Sequence, residues 1–205
     1  LPRSPGVVVG RDLASPMLEA AGHIGFFDGE NVMQVMNEPE VVQKVSYANF
    51  ASKSTLWAPV YTNIPNFGVT SCYEATCNFL DQWSTSDRVS LGTRMALVQR
   101  AYQIQLIGAN YTIFGSSVSA DPRMYDRNSR VYYPAIRGTY RCDTYVGDIF
   151  AFAYTPNGNY WVTPGSNLRI ERVTSNVPAS WNTKMQSLFN VPILPATFYN
   201  RFKAF

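Results

Sequence analysis

The chain has 205 residues, 46% of them hydrophobic and only 15% charged, with a formal net charge of +3. This length supports one packed domain over residues 1–205, and the charge, spread without a basic cluster, gives no ground for a nucleic-acid groove. Apolar runs of only a few residues give none for a transmembrane segment, so polarity rests on tyrosine, asparagine, serine and threonine.

Gly6-Val-Val-Val-Gly10 predicts a first strand, and Arg11 to Ala21 a polar connection containing a proline. Gly22-His23-Ile-Gly-Phe-Phe-Asp-Gly29 predicts a second strand ending in an Asp-Gly turn. Asn31-Val-Met-Gln34-Val-Met36 then pairs back as a third, making a hairpin with one face to bury. Val41–Tyr47 and Leu56–Tyr61 are further strand candidates, with a polar turn or short helix at Asn49–Thr55 between them. Residues 63–86 hold Pro65, Gly68, Cys72 and Cys77 with little periodicity and predict an inserted loop. Asp87 is placed to cap a helix from Arg88 to about Gly108. Its buried face is drawn by the rows Leu91, Met95, Val98, Tyr102 and Leu97, Ala101, Ile104, Gly108.

Residues 115–137, rich in Ser, Asp, Arg and Tyr, predict a second inserted loop. The stretch Gly138-Thr-Tyr-Arg-Cys142-Asp-Thr-Tyr-Val146-Gly-Asp-Ile-Phe-Ala-Phe-Ala153 follows. Val146, Ile149, Phe150 and Ala153 share one face of a short helix, and Gly138 and Thr139 stand where a turn and a capping hydroxyl belong. Tyr160–Val162 and Leu168–Ile170 are strand candidates in a tail rich in Pro, Gly and Asn, and residues 181–190 a last short helix. Leu1-Pro-Arg-Ser-Pro5 lacks the charged start and apolar core of a signal peptide, so an exported protein would have its signal outside this sequence.

Three cysteines are an odd number. Cys72 and Cys77 are spaced neither as CxxC nor as a familiar zinc pattern, but in a loop they could close a small disulfide ring, leaving Cys142 as the lone thiol. One histidine and three scattered cysteines make no metal cluster, and nothing else in the sequence calls for a cofactor. At a helix N-terminus, Cys142 would meet the positive end of the helix dipole and unpaired backbone N–H groups, which favour a thiolate and can receive an oxyanion. The plainer reading of Cys142 is a small buried hydrophobe. His23, the only histidine, is either a buried strand residue with one hydrogen bond or the base for this thiol. Gly22 and Gly25 beside it suggest room for a substrate backbone. Gln34 lies across the hairpin, where its amide oxygen could accept the other ring N–H, and Asn37 and Glu38 compete for that role.

In this order the motifs resemble the circularly permuted NlpC-type papain-like cysteine peptidases and amidases, a group related to the lecithin:retinol acyltransferase proteins. The Gly-His strand and the Val32-Met-Gln34-Val strand are similar to the family's opening. Ala96–Gly108 running into Tyr111 and Phe114 is similar to its middle helix and following segment, and Tyr140-Arg-Cys142-Asp-Thr-Tyr-Val146 to its nucleophile motif. The resemblance covers most of residues 6–153 and implies Cys142 as nucleophile, His23 as base and Gln34 as the orienting residue. Family members often carry Glu or His at that third place. We take Tyr140, Asp143 and Tyr111 as the residues expected to line the substrate site.

The expected fold is α+β and papain-like, an antiparallel sheet carrying His23 and Gln34 against the Cys142 helix, with the thiol and imidazole meeting in space. The expected activity is cleavage of an amide, such as one in a cell-wall (peptidoglycan) peptide, through a thioester. Low charge and the possible Cys72–Cys77 ring suit an extracytoplasmic location, periplasmic or secreted. The alternatives are acyl hydrolysis or transfer on a lipid ester with the same pair, or a non-enzymatic binding domain that keeps the fold.

Overall fold

A computed structural model describes residues 2, 5–13, 21–60, 91–113, 117–120, 125–126, 131–132, 135–152, 161–162, 169–170 and 194–203. The expected loop at 63–86, Cys72 and Cys77, and the expected helix at 181–190 lie outside these residues.

The fold is α+β, built on a four-stranded antiparallel sheet in the order β1-β2-β3-β4. The strands are β1 (Val7–Arg11), β2 (His23–Phe27), β3 (Asn31–Val35) and β4 (Val42–Ser46). Asp28 makes the β2–β3 turn: its Oδ1 accepts from the amides of Glu30 (2.9 Å) and Asn31 (2.6 Å), while Gly29 takes φ of 116°. Pairing of Phe27 with Val32 and of Arg11 with His23 sets the register across the first three strands. Of the expected strand Leu56–Tyr61, the described part, Leu56–Val60, is not a strand. It meets β1 at isolated bridges, Val8 with Val60 and Arg11 with Leu56, whose registers differ by one residue, so no continuous ladder joins them.

Both faces of the hairpin are covered, not one. Val8, Ile24, Phe26, Met33 and Val35 join the larger core, and Val7, Val9, Phe27 and Val32 join a smaller one closed by Phe50 of α1 (Tyr47–Ala51). Burial from both sides explains why β1 and β2 read as apolar runs without alternation. The larger core is completed by α2 (Leu91–Ile107), through Leu97, Val98, Ala101 and Ile104. It also receives α3 (Cys142–Phe152), through Tyr145, Val146, Ile149 and Phe150.

Two short segments hold the start of α3. Strands β5 (Ala109–Tyr111) and β8 (Gly138–Tyr140) pair in parallel, with Tyr111 opposite Tyr140. Gly138 and Thr139 therefore belong to a strand and do not cap the helix. Thr144 does so from inside: its Oγ1 accepts from the Arg141 amide at 2.9 Å, and the Arg141 carbonyl accepts the first helical bond from Tyr145 at 3.0 Å. The 115–137 segment, expected to be a loop, contains the small antiparallel pair β6 (Tyr125–Asp126) and β7 (Val131–Tyr132). Strands β9 (Trp161–Val162) and β10 (Arg169–Ile170) pair where sequence patterning places them. Helix α4 (Pro195–Lys203), which was not among the expected helices, sends Phe198 and Tyr199 into the larger core.

A buried ion pair locks α3 to α2. Arg100 and Asp148, 3% and 0% exposed, meet at 2.7 Å, and the second Asp148 oxygen accepts from Ser119 Oγ and Tyr140 Oη, both at 2.6 Å. The helix that begins with Cys142 is thus fixed in both rotation and translation.

Candidate active site

His23 opens β2 and, by strand alternation, shares a face with Arg11 of β1 and Gln34 of β3. Its ring is 3% exposed and lies 5.9 Å from that of Phe50. Its Nε2 is 2.9 Å from Gln34 Oε1. The tautomer follows from the chain of amides behind it. Glu38 only accepts, so Gln43 turns its NH2 toward Glu38 Oε2 (2.6 Å) and its oxygen toward Gln34 Nε2 (3.3 Å). That leaves Gln34 Oε1 for the ring, and an amide oxygen requires His23 Nε2 to carry the proton and donate it. Nδ1 then keeps its lone pair. Glu38, weighed as a rival to Gln34, stands at the far end of this chain, and Gln43 was not foreseen.

Cys142 is the first residue of α3 and is 7% exposed, with its thiol free. It meets β2 at Ile24, whose backbone N–H belongs to the peptide joining His23 to Ile24. Hydrogen bonding from the amides of Ile24 and Asp143 favours the thiolate. Burial is the larger effect, and with the Asp143 charge it pushes the thiol up to about 12. The expectation that the helix start lowers this pKa is therefore corrected, because the thiol is desolvated. Burial first, then the charge of Arg11, holds His23 down to about 4 against the pull of Gln34. At neutral pH the resting pair is a thiol and a neutral imidazole.

Alternation turns the Ile24 side chain into the larger core with α3 and the His23 ring to the other face, beside Phe50. Among the described residues the side-chain hydrogen bond of His23 is the one to Gln34. The glycines beside His23 do not leave open space. A Cβ on Gly22 would lie 2.0 Å from the Trp57 ring, and one on Gly25 2.5 Å from Val32 Cγ1.

The other expected residues divide by position. Tyr111 is half-buried, and burial first, then its nearness to Cys142 and Asp143, raises its pKa. Asp143 is 0% exposed, with both oxygens held by the Arg141 fork at 2.9 and 2.8 Å. Tyr140 is also 0% exposed, its hydroxyl on Asp148, and supports the strand that leads into Cys142. Arg11 was missed. It is charged yet 6% exposed, in register with His23, and close enough to influence both His23 and Cys142. A lone arginine closing the run Val7-Val-Val-Gly10 was the available signal, but its meaning needed the register.

Among the described residues no three His, Cys, Asp or Glu side chains gather as a metal site. No helix among them is long and apolar enough to cross a membrane. Comparison of the chain with protein families, curated proteins and solved structures finds no match.

Proposed function

We propose that the chain is a papain-like thiol hydrolase acting on an amide, with Cys142 as nucleophile, His23 as base and Gln34 as the group that orients it. The observation that carries the reading is the His23–Gln34 hydrogen bond, which leaves Nδ1 unprotonated on the strand where the N-terminal thiol of α3 arrives. An imidazole in this tautomer can take the thiol proton as Sγ attacks the carbonyl carbon. Backbone N–H groups of the first turn of α3 would receive the oxyanion. His23 would then return the proton to the leaving amine, and water would cleave the thioester. A neutral resting pair suits a thiol that ionises only as substrate arrives. The reading requires His23 Nδ1 and the Cys142 thiol to come within hydrogen-bond reach, a contact that in such sites often tightens only with substrate bound.

A second reading, acyl chemistry on a lipid ester, draws on Ile113, Val118 and Ile136. These are 50%, 47% and 54% exposed on segments flanking the β5–β8 pair. The test is alkylation of Cys142 by iodoacetamide, read by mass spectrometry, in wild type and His23→Ala. A rate above that of free cysteine at neutral pH, at least tenfold reduced in His23→Ala, supports the hydrolase. A rate no greater than free cysteine and indifferent to His23 leaves the binding-domain alternative.

A further inference from the structure

The catalytic reading leaves the residues on either side of Cys142 without a part. Arg141 and Asp143 form a forked ion pair across it. Arg141 Nε donates to Oδ1 at 2.9 Å and Nη2 to Oδ2 at 2.8 Å, with the arginine 13% and the aspartate 0% exposed. The arginine backbone is pinned as well, its amide donating to Thr144 Oγ1 and its carbonyl accepting from the Tyr145 amide. An acid in the first turn of a helix is common, because it complements the helix dipole. Asp143 goes further and gives up its water, which a carboxylate tolerates only when its oxygens are bonded, as the fork provides. With both oxygens held, Asp143 is not free to take a substrate group, the part the sequence suggested for it.

We propose that Asp143 is a positioning residue acting on the nucleophile, its carboxylate held beside Cys142 by Arg141 so that its charge keeps the sulfur protonated in the resting protein. The effect on the thiol rests on the fork alone, whereas its part in turnover rests on the hydrolase reading. The amide of Asp143 meets the sulfur, so the carboxylate of the same residue lies close to it. With little water between them, a negative charge opposes thiolate formation more strongly than it would in solution. Arg141 counters it less strongly, so the pair as a whole disfavours the thiolate. The other ionisable groups from the surrounding elements are Arg11 on β1, His23 on β2, Tyr111 on β5, Tyr140 on β8 and Tyr199 on α4. Burial keeps the three phenols and the imidazole uncharged at neutral pH, and Arg100 of α2 is spent on Asp148. Arg11 favours the thiolate from β1, and the fork opposes it from the nucleophile's own segment. A thiol kept neutral in this way is spared stray alkylation and oxidation, and ionises only when His23 takes its proton.

The test is the rate of Cys142 alkylation by iodoacetamide between pH 7 and 9, read by mass spectrometry, with the His23 ring followed by NMR in the same proteins. Asp143→Asn should react about tenfold faster than wild type at each pH, the equivalent of about one pH unit in the thiol. His23 should meanwhile keep its titration near 4, because its environment is set by burial, Arg11 and Gln34 and not by the fork. The neutral pair Arg141→Gln with Asp143→Asn should fall between Asp143→Asn and wild type. An Asp143→Asn rate equal to or below that of wild type overturns the proposal. So does a faster rate accompanied by His23 titrating toward 6.5, because water entering the site would free the thiol and the ring together. If Asp143→Asn, which strands Arg141, fails to fold, the neutral pair decides by the same comparison with wild type. A faster Asp143→Asn whose rate is indifferent to a further His23→Ala change sinks the hydrolase reading and leaves the charge effect standing.

Discussion

Acid should destabilise this protein through His23. The ring is 3% exposed and titrates near 4 in the fold, against about 6.5 in an unfolded chain. Its environment is set by Arg11 from β1, Gln34 from β3 and Phe50 from α1, with Cys142 arriving on α3. Between pH 6.5 and 4 the unfolded chain holds a proton that the native ring refuses, so stability falls as pH drops through that window. Below about 4 both states are protonated and the loss levels off. A gap of about 2.5 pH units, at about 1.36 kcal/mol each, amounts to roughly 3 kcal/mol. Denaturant unfolding of wild type and His23→Gln from pH 7.5 to 3.5 isolates the contribution, since the carboxylates titrate in both. The wild type should lose roughly 3 kcal/mol more than His23→Gln across the window. Because there is one histidine, its imidazole resonance also reports the native pKa directly. A ring titrating at 6 or above in the folded protein, or parallel acid losses in the two proteins, would refute the reasoning, because either would mean a solvated imidazole.

Asp148→Ala should cost about 3–5 kcal/mol by urea unfolding, because it strands the Arg100 guanidinium in the core. The double change Arg100→Met with Asp148→Leu should recover much of that loss, and a double variant as unstable as the sum of its singles would count against the pair. Gly22→Ala should lose about 1–3 kcal/mol, since its Cβ would lie 2.0 Å from the Trp57 ring at φ +65°. Trp57 cannot easily yield, being tied to Asp12 through Nε1 at 2.8 Å and packed 4.9 Å from Tyr199. Unchanged thermal stability of Gly22→Ala would show that Trp57 is freer than this packing implies.

Local pattern alone determined much of the frame. The Asp28-Gly29 turn, the hairpin it closes, the 91–107 helix and the helix beginning at Cys142 are each written in short-range periodicity and turn chemistry. The pairing of Gln34 with His23 was legible for the same reason, since strand alternation places both on one face once the turn is known. What depends on neighbours distant in sequence was not legible. Helix α4 is amphipathic but only nine residues long, and its place is set by the core that Phe198 and Tyr199 enter. Leu56–Val60 reads as a strand from its residues, but its two bridges to β1 are out of register by one, which only the pairing reveals. The thiol offered the sharpest reversal: a helix start argues for a low pKa, but the packing of α3 on β2 removes water, and desolvation outweighs the local N–H groups. Arg11 became meaningful only when register set it beside His23 and burial left its Nε without a partner. Sequence sets which backbone hydrogen bonds are cheap locally. Which charges lose their water is decided only when segments far apart in the chain close over them.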